Sequence, residues 1–248
     1  YVADKGIVLR EPSLVIVSGG EKRIVQAVGE EARQLLGRMP QGFRAIWPIR
    51  EGVIADFDLA ASMLRYFIRR ALGVNYLGKP RTVLTIPAGV TSMERRAHEE
   101  ALLRAGGKLS YIVEGAIASA LGCGLPVYEP QGSMIVSIGG GTTEIAVVSL
   151  GAAVVGKTLR IGGNALDAAI AAYVKKEKNL LIGDRTAEDI KIDLGSAMAP
   201  VETQKAMMRG RDVVTGLPRT ASLDTDEVYE VLQEPLREIM AAILWVLE

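Results

Sequence analysis

One cysteine and one histidine in 248 residues close off two kinds of chemistry at once. Cys123 alone excludes an internal disulfide and a cysteine metal cluster, which fits a reducing compartment. His98 alone argues against a multi-histidine metal site. An excess of one charge is missing too: 29 lysines and arginines face 29 aspartates and glutamates. A protein that neutralises many phosphates of a nucleic acid carries a basic surplus, so nucleic acid is a poor partner for this chain. The longest apolar runs, 145–156 and 241–247, fall short of the ~20 residues that span a bilayer. Tyr1 is not a start methionine, and no charged-then-apolar leader follows it. The chain reads as cytoplasmic and as cut from something longer.

What is present suits a folded α/β protein. Apolar residues make up 49% and charged residues 23%, and a chain of this length buries roughly 70–75% of its unfolded surface. Residues 6–17 alternate around Glu11-Pro12 and predict a strand pair; 29–36 predicts a short helix and 44–57 an extended stretch. Residues 58–72 carry Leu59, Met63, Tyr66 and Phe67 on one helical face, with Asp58 as the expected cap. A strand at 83–86 precedes a helix that starts with a capping box, Thr91 and Glu94. A strand at 109–113 and a small-residue helix at 116–121 follow. From Ser133 the pattern becomes an antiparallel meander, 134–138, 144–150 and 154–159. Helices at 164–176 and 186–197, a short strand at 211–223, and a helix at 225–248 broken at Pro235 complete the reading. His98, among charged neighbours, is expected in solvent; Cys123, between glycines, is expected to be buried. The basic cluster at 175–178 is read as a solvated helix end.

The chemistry concentrates in 135–148, where Gly139, Gly140 and Gly141 precede Thr142 and Thr143. Three glycines let the backbone turn tightly and approach a ligand. Successive N–H groups there form an anion-binding concavity, and the threonines add hydroxyl donors. A P-loop or a dinucleotide fingerprint would run on into a helix. Branched residues continue here instead, so the segment predicts a phosphate-gripping β-hairpin.

The run Ser-Ile-Gly-Gly-Gly-Thr-Thr-Glu at 137–144 resembles the second phosphate motif of the actin, heat-shock chaperone and sugar-kinase superfamily. The surrounding segments resemble the MreB/Mbl-like bacterial actins: 52–58, 63–68, 94–97, 122–126, 160–163 and 232–236, in the family's order along nearly the whole chain. The resemblance implies an actin-like (ribonuclease H-like) two-domain α/β fold, with mixed sheets flanked by helices around a nucleotide cleft. Domain I would cover 1–149, with a small subdomain IB at about 18–51 inserted in IA. Domain II would cover 150–248 (IIA about 150–173 and 224–248, IIB about 174–223) and be incomplete. Gly139 to Thr143 would hold the β- and γ-phosphates of ATP (or GTP) with Mg²⁺. Gly162 and Gly163 would allow close approach near the nucleotide. Glu188 and Lys191, three apart on one helix, would approach ribose and purine. The first phosphate loop and the adenosine loop lie outside this chain, so tight ATP binding by it alone is not expected.

Two positions depart from the family. Ser137 stands where aspartate normally helps hold Mg²⁺, and Gly115 stands where the glutamate that positions the hydrolytic water is expected, next to Glu114. Losing a water-orienting group typically costs ~10²–10⁴ in rate, so the resemblance implies nucleotide binding with slow or absent hydrolysis; Glu114 or Asp56 as a substitute is the competing view. The implied role is a filament subunit in cell-shape determination, self-associating and acting with cell-wall synthesis proteins. Tyr76 and Leu77, near Arg69, Arg70, Lys79 and Arg81, would touch the inner face of the cell membrane, or else make a local contact with the core. The alternative is a soluble ATPase of the chaperone or sugar-kinase type. The short segment 27–47 favours the filament protein over the chaperone, and no substrate carboxylate of a kinase is recognisable.

Overall fold

The computed structural model describes residues 1–19, 23–73 and 78–248, with backbone only at 109 and 110. The chain forms two compact units, Tyr1–Ala118 and Ser119–Glu248.

The first unit is organised by β1 (Val15–Ser18), which pairs antiparallel with β2 (Ile24–Val28) on one edge and β3 (Phe43–Ile46) on the other. A central strand is covered on both faces, which is why it reads as a continuous apolar run. Val15 and Val17 pack with Leu59 and Met63, whereas Leu14 and Ile16 pack with Ala27 and Ala32. The expected strand pair over 6–17 is corrected: only Val15–Ser18 is a strand, and its partners lie downstream. Pro12 has no N–H for a ladder, and the Glu11 carboxylate serves elsewhere. It accepts from the Glu30 N–H at 2.5 Å and pairs with Arg70 at 3.1 Å. It thereby closes the start of α1 (Glu30–Leu35), whose N-cap Gly29 has no side chain.

The pair β4 (Ile49–Arg50) and β5 (Val53–Ile54) leads into α2 (Phe57–Leu72). The cap of α2 is Asp56, which accepts from the Leu59 N–H at 3.2 Å, and not Asp58, which pairs with Arg104 at 2.9 Å. β6 (Arg81–Ile86), α3 (Ser92–Ala105) and β7 (Lys108–Glu114) form a β-α-β unit with parallel strands. The capping box is present: Glu94 N–H to Thr91 Oγ1 at 3.2 Å, and Thr91 N–H to Glu94 Oε2 at 2.7 Å. His98 is a correction. It is buried at 6% exposure with Nδ1 2.8 Å from the Glu94 carbonyl, because it shares the face of Ala101, Leu102 and Ala105 that meets the core. α4 (Gly115–Gly122) follows directly, and Cys123, expected inside, is exposed just past its end.

In the second unit β8 (Ser133–Ile138), β9 (Thr143–Ser149) and β10 (Ala152–Leu159) form the expected antiparallel meander. α5 (Gly163–Lys178) ends at Asn179 in the left-handed conformation, with Lys175, Lys176 and Lys178 in its last turn. β11 (Leu180–Leu181) and α6 (Asp184–Leu194) come next. The segment read as one strand at 211–223 instead holds the end of β12 (Lys205–Asp212), a turn, and most of β13 (Pro218–Asp224), the two strands pairing from Lys205 opposite Asp224 to Arg211 opposite Pro218. α7 (Thr225–Leu247) runs unbroken through Pro235, against expectation. An internal proline costs about 3 kcal/mol. Leu232 before it and Ile239 and Val246 after it are all buried, each worth roughly 1.5–3 kcal/mol, so packing on both sides outweighs the missing bond. Ile170, Val174, Ile190, Leu223, Val228 and Leu232 make the main core, and Ala242 and Val246 cover Ile145 of the meander. Among the described residues no helix is long and apolar enough to cross a membrane.

Candidate functional site: the glycine turn and the start of α5

The glycines at 139–141 connect β8 to β9 as a hairpin, not to a helix. The turn is closed by the Gly139 N–H, which donates to the Thr142 carbonyl at 2.8 Å. Its two other fixed points lie on α5. The Gly163 N–H donates to the Gly139 carbonyl at 2.9 Å, and the Asn164 N–H to the Gly140 carbonyl at 2.8 Å. These two donors are among the four that every helix leaves without an intrahelical acceptor. In a planar trans peptide the C=O and the following N–H point opposite ways. With the carbonyls of Gly139 and Gly140 turned onto α5, the N–H groups of Gly140 and Gly141 must point away from it. Neither amide has an acceptor among the described residues. The positive end of α5 lies behind them and adds a field that favours an anion.

The close approach explains the glycines at 162 and 163. A Cβ at Gly162 would stand 2.5 Å from the Gly139 carbonyl oxygen and 2.8 Å from that of Gly140; no side chain fits. Gly162 is the N-cap of α5 and Gly163 its first residue. Thr143, the second predicted hydroxyl donor, is fully buried, and its Oγ1 donates to the Ile161 carbonyl at 2.7 Å. That bond ties β9 to the segment entering α5 and leaves Thr142, half-buried, as the hydroxyl at the turn.

Lys191 is drawn into the same cluster. Its Nζ lies 3.1 Å from the Gly163 carbonyl and 2.7 Å from Asp167 Oδ1. Burial pushes the Asp167 carboxyl above its ordinary range; Lys191 works against this, while Glu188 and Asp184 push the same way. Glu188 itself is exposed, one turn before Lys191 on α6. Sequence reasoning missed Asp167 and Asn164. The available signal was the polar pair spaced by two residues directly after Gly162-Gly163, in the first turn of a predicted helix.

The Ser137 hydroxyl accepts from Ser119 Oγ at 3.5 Å, and Ser137 is opposite Glu144 in the ladder. Mg²⁺ is held through carboxylates and phosphates in near-octahedral geometry. Two neutral hydroxyls beside one carboxylate do not form such a set, and among the described residues no group of three or more acidic, histidine or cysteine side chains could hold a metal. The residues do not fit a protein-held Mg²⁺. Glu114 ends β7 and Gly115 begins α4, both in the first unit. Both oxygens of Asp56 are engaged, one by the α2 cap and one by Arg23. Tyr76 and Leu77 lie outside the described residues.

The family model described as MreB/Mbl protein matches residues 1–248. The cell shape-determining protein Mbl of Bacillus subtilis is 42% identical over 248 residues, covering all of this chain and 74% of that protein. The cell shape-determining protein MreB of Escherichia coli is 44% identical over 252 residues, covering all of this chain and 73% of that protein. Among solved structures, MreB5 of Spiroplasma citri bound to ADP superposes with a TM-score of 0.90 at 34% identity, covering this whole chain and 74% of that one. The MamK double helical filament superposes with a TM-score of 0.75 at 20% identity over 96% of this chain and 72% of that one, a likeness of fold.

Proposed function

The chain belongs to the MreB/Mbl family, with an actin-like fold, and from that premise we propose that it binds the polyphosphate of an adenine nucleotide at 139–142 and self-associates into filaments that serve cell-shape determination. The observation that carries the nucleotide reading is the pair of outward amides at Gly140 and Gly141, held by carbonyls that α5 has fixed. Preorganised N–H donors need no rearrangement to meet a phosphate. Thr142 adds a hydroxyl at the rim, and Gly162 and Gly163 keep the backbone close. MreB5 has been solved with ADP and with AMPPNP, which favours adenine over guanine. Glu188 on the exposed face of α6 is the group for the ribose side. The assignment of 1–149 to domain I and 150–248 to domain II goes with this reading.

Hydrolysis is proposed to be slow. The serine at 137 supplies no charge for a metal, and Gly115 has no side chain to orient water. The chaperone and kinase alternatives are not favoured, since the curated relatives are cell shape-determining proteins. Residence at the inner face of the cell membrane, with cell-wall synthesis proteins as partners, is part of the same proposal.

Sedimentation with and without ATP or AMPPNP tests it. A larger pellet with nucleotide, of equal size for both, is expected, with phosphate release in a single turnover ~10²–10⁴ below that of a complete site. Equal pellets with and without nucleotide would remove the nucleotide-driven filament.

A further inference from the structure

Lys191 was expected to reach toward ribose and purine, yet its ammonium is already engaged on two sides. It bridges Asp167 Oδ1 at 2.7 Å and the Gly163 carbonyl at 3.1 Å. The side chains are mostly enclosed, 20% exposed for Lys191 and 14% for Asp167. The bridge joins three elements in series: α6 through Lys191, the first turn of α5 through Asp167 and Gly163, and the phosphate turn through the bonds from Gly163 and Asn164 to the carbonyls of Gly139 and Gly140. We propose that Asp167 and Lys191 form a clasp that sets the start of α5 against the 139–142 turn, making Asp167 a positioning residue for the nucleotide's phosphates; the inference rests on the nucleotide reading above.

Two features distinguish a clasp from an ordinary stabilising pair. An enclosed ion pair loses in desolvation much of what it gains in attraction, so its net contribution to stability is small, while breaking one side leaves a charge that must find water. The raised Asp167 carboxyl is consistent with that balance, since burial outweighs its bond to Lys191. The second feature is placement. The ammonium also holds the carbonyl of Gly163, whose N–H on the other side of the residue holds the turn. Withdrawal of Lys191 into solvent therefore loosens the residue on which the outward amides depend.

The test uses the 248-residue chain with Asp167→Asn, which keeps the shape and removes the charge. Amide exchange at Gly163 and Asn164, followed by NMR without ligand, is expected to quicken about tenfold. A fluorescent ADP analogue and inorganic tripolyphosphate should both weaken by similar factors, although Asp167 touches neither. The double variant Asp167→Asn/Lys191→Met removes the stranded ammonium; it should recover the melting temperature but not the amide protection or the affinities. Lys191→Gln serves as the second single variant if Asp167→Asn melts too low. Unchanged protection in a folded single variant overturns the clasp, as does full recovery of protection in the double variant. Faster exchange together with no binding of either probe by the unmodified chain even at millimolar probe would keep the clasp and sink the nucleotide reading.

Discussion

At the scale of single residues, the site depends on what two positions cannot hold. Gly162 has no room for a Cβ because the carbonyls of Gly139 and Gly140 stand in its place. Ser137 has no charge, and its hydroxyl meets Ser119 at 3.5 Å. A carboxylate at 137 would stand opposite Glu144 in the ladder, and two carboxylates on one face at a cross-strand spacing of roughly 5 Å form the kind of oxygen set a divalent cation needs. Ser137→Asp should therefore acquire a dependence on Mg²⁺: millimolar Mg²⁺ raises the melting temperature of the variant by a few degrees, about 1 kcal/mol, and leaves the unmodified chain where it was. Equal melting curves for the variant with and without Mg²⁺ would count against the reading of Ser137 as the lost metal position.

At the scale of elements, caps decide where helices begin and neighbours decide where they end. α7 starts with a reciprocal box: Glu227 N–H to Asp224 Oδ1 at 3.0 Å, and Asp224 N–H to Glu227 Oε2 at 3.2 Å. Glu227 Oε1 also takes Lys178 Nζ at 2.5 Å and the Tyr173 hydroxyl at 3.0 Å, joining α7 to the end of α5. Burial would raise the Glu227 carboxyl, but the bonds from Lys178 and Tyr173 outweigh it and hold it below its ordinary range. Burial and the Glu227 bond push the Tyr173 phenol up to about 12, so it stays a donor at any working pH. Because the folded Glu227 binds a proton less readily than the unfolded one, its contribution is complete above the unfolded value, about 4.3. It is lost as pH falls through the lower folded value. Glu227→Gln is expected to cost about 1–2 kcal/mol at pH 7, and the gap between variant and unmodified chain should narrow in acid. Thermal melts by circular dichroism at the two pH values check this; a gap independent of pH would contradict it. Asp167 tilts stability the other way, being held above its range, and cancels in the comparison.

At the scale of the whole molecule, the chain belongs to the MreB/Mbl family, and the filament role proposed for it rests on that membership. One surface contact remains to be placed on this chain, the membrane reading of Tyr76 and Leu77. Arg70, one of the basic side chains read beside them, is exposed but already engaged, pairing with Glu11 at 3.1 Å and donating to Tyr66 at 2.6 Å. A membrane contact would therefore depend on the apolar pair more than on charge. Tyr76→Ser/Leu77→Ser should reduce flotation with anionic liposomes several-fold, with little further change when salt is raised. Equal flotation of variant and unmodified chain removes the contact.

Most of the architecture was legible in the order of residues because its signals are local. The capping box at Thr91 and Glu94, the meander from Ser133, and the glycine turn that continues as a strand each follow from spacing and backbone freedom within a few residues. Three of the errors share one cause. Pro235 inside α7, His98 inside the core, and the downstream partners of β1 were settled by packing against segments far along the chain. The same holds for the site. Gly139 to Thr142 could be read as a tight hairpin turn from sequence alone, since glycine content and the following strand determine it. Which way its amides face, why Gly162 must be bare, and where Lys191 goes were decided only when α5 and α6 came to lie against the turn. Hydrogen-bond direction and desolvated charge are properties of neighbours in space.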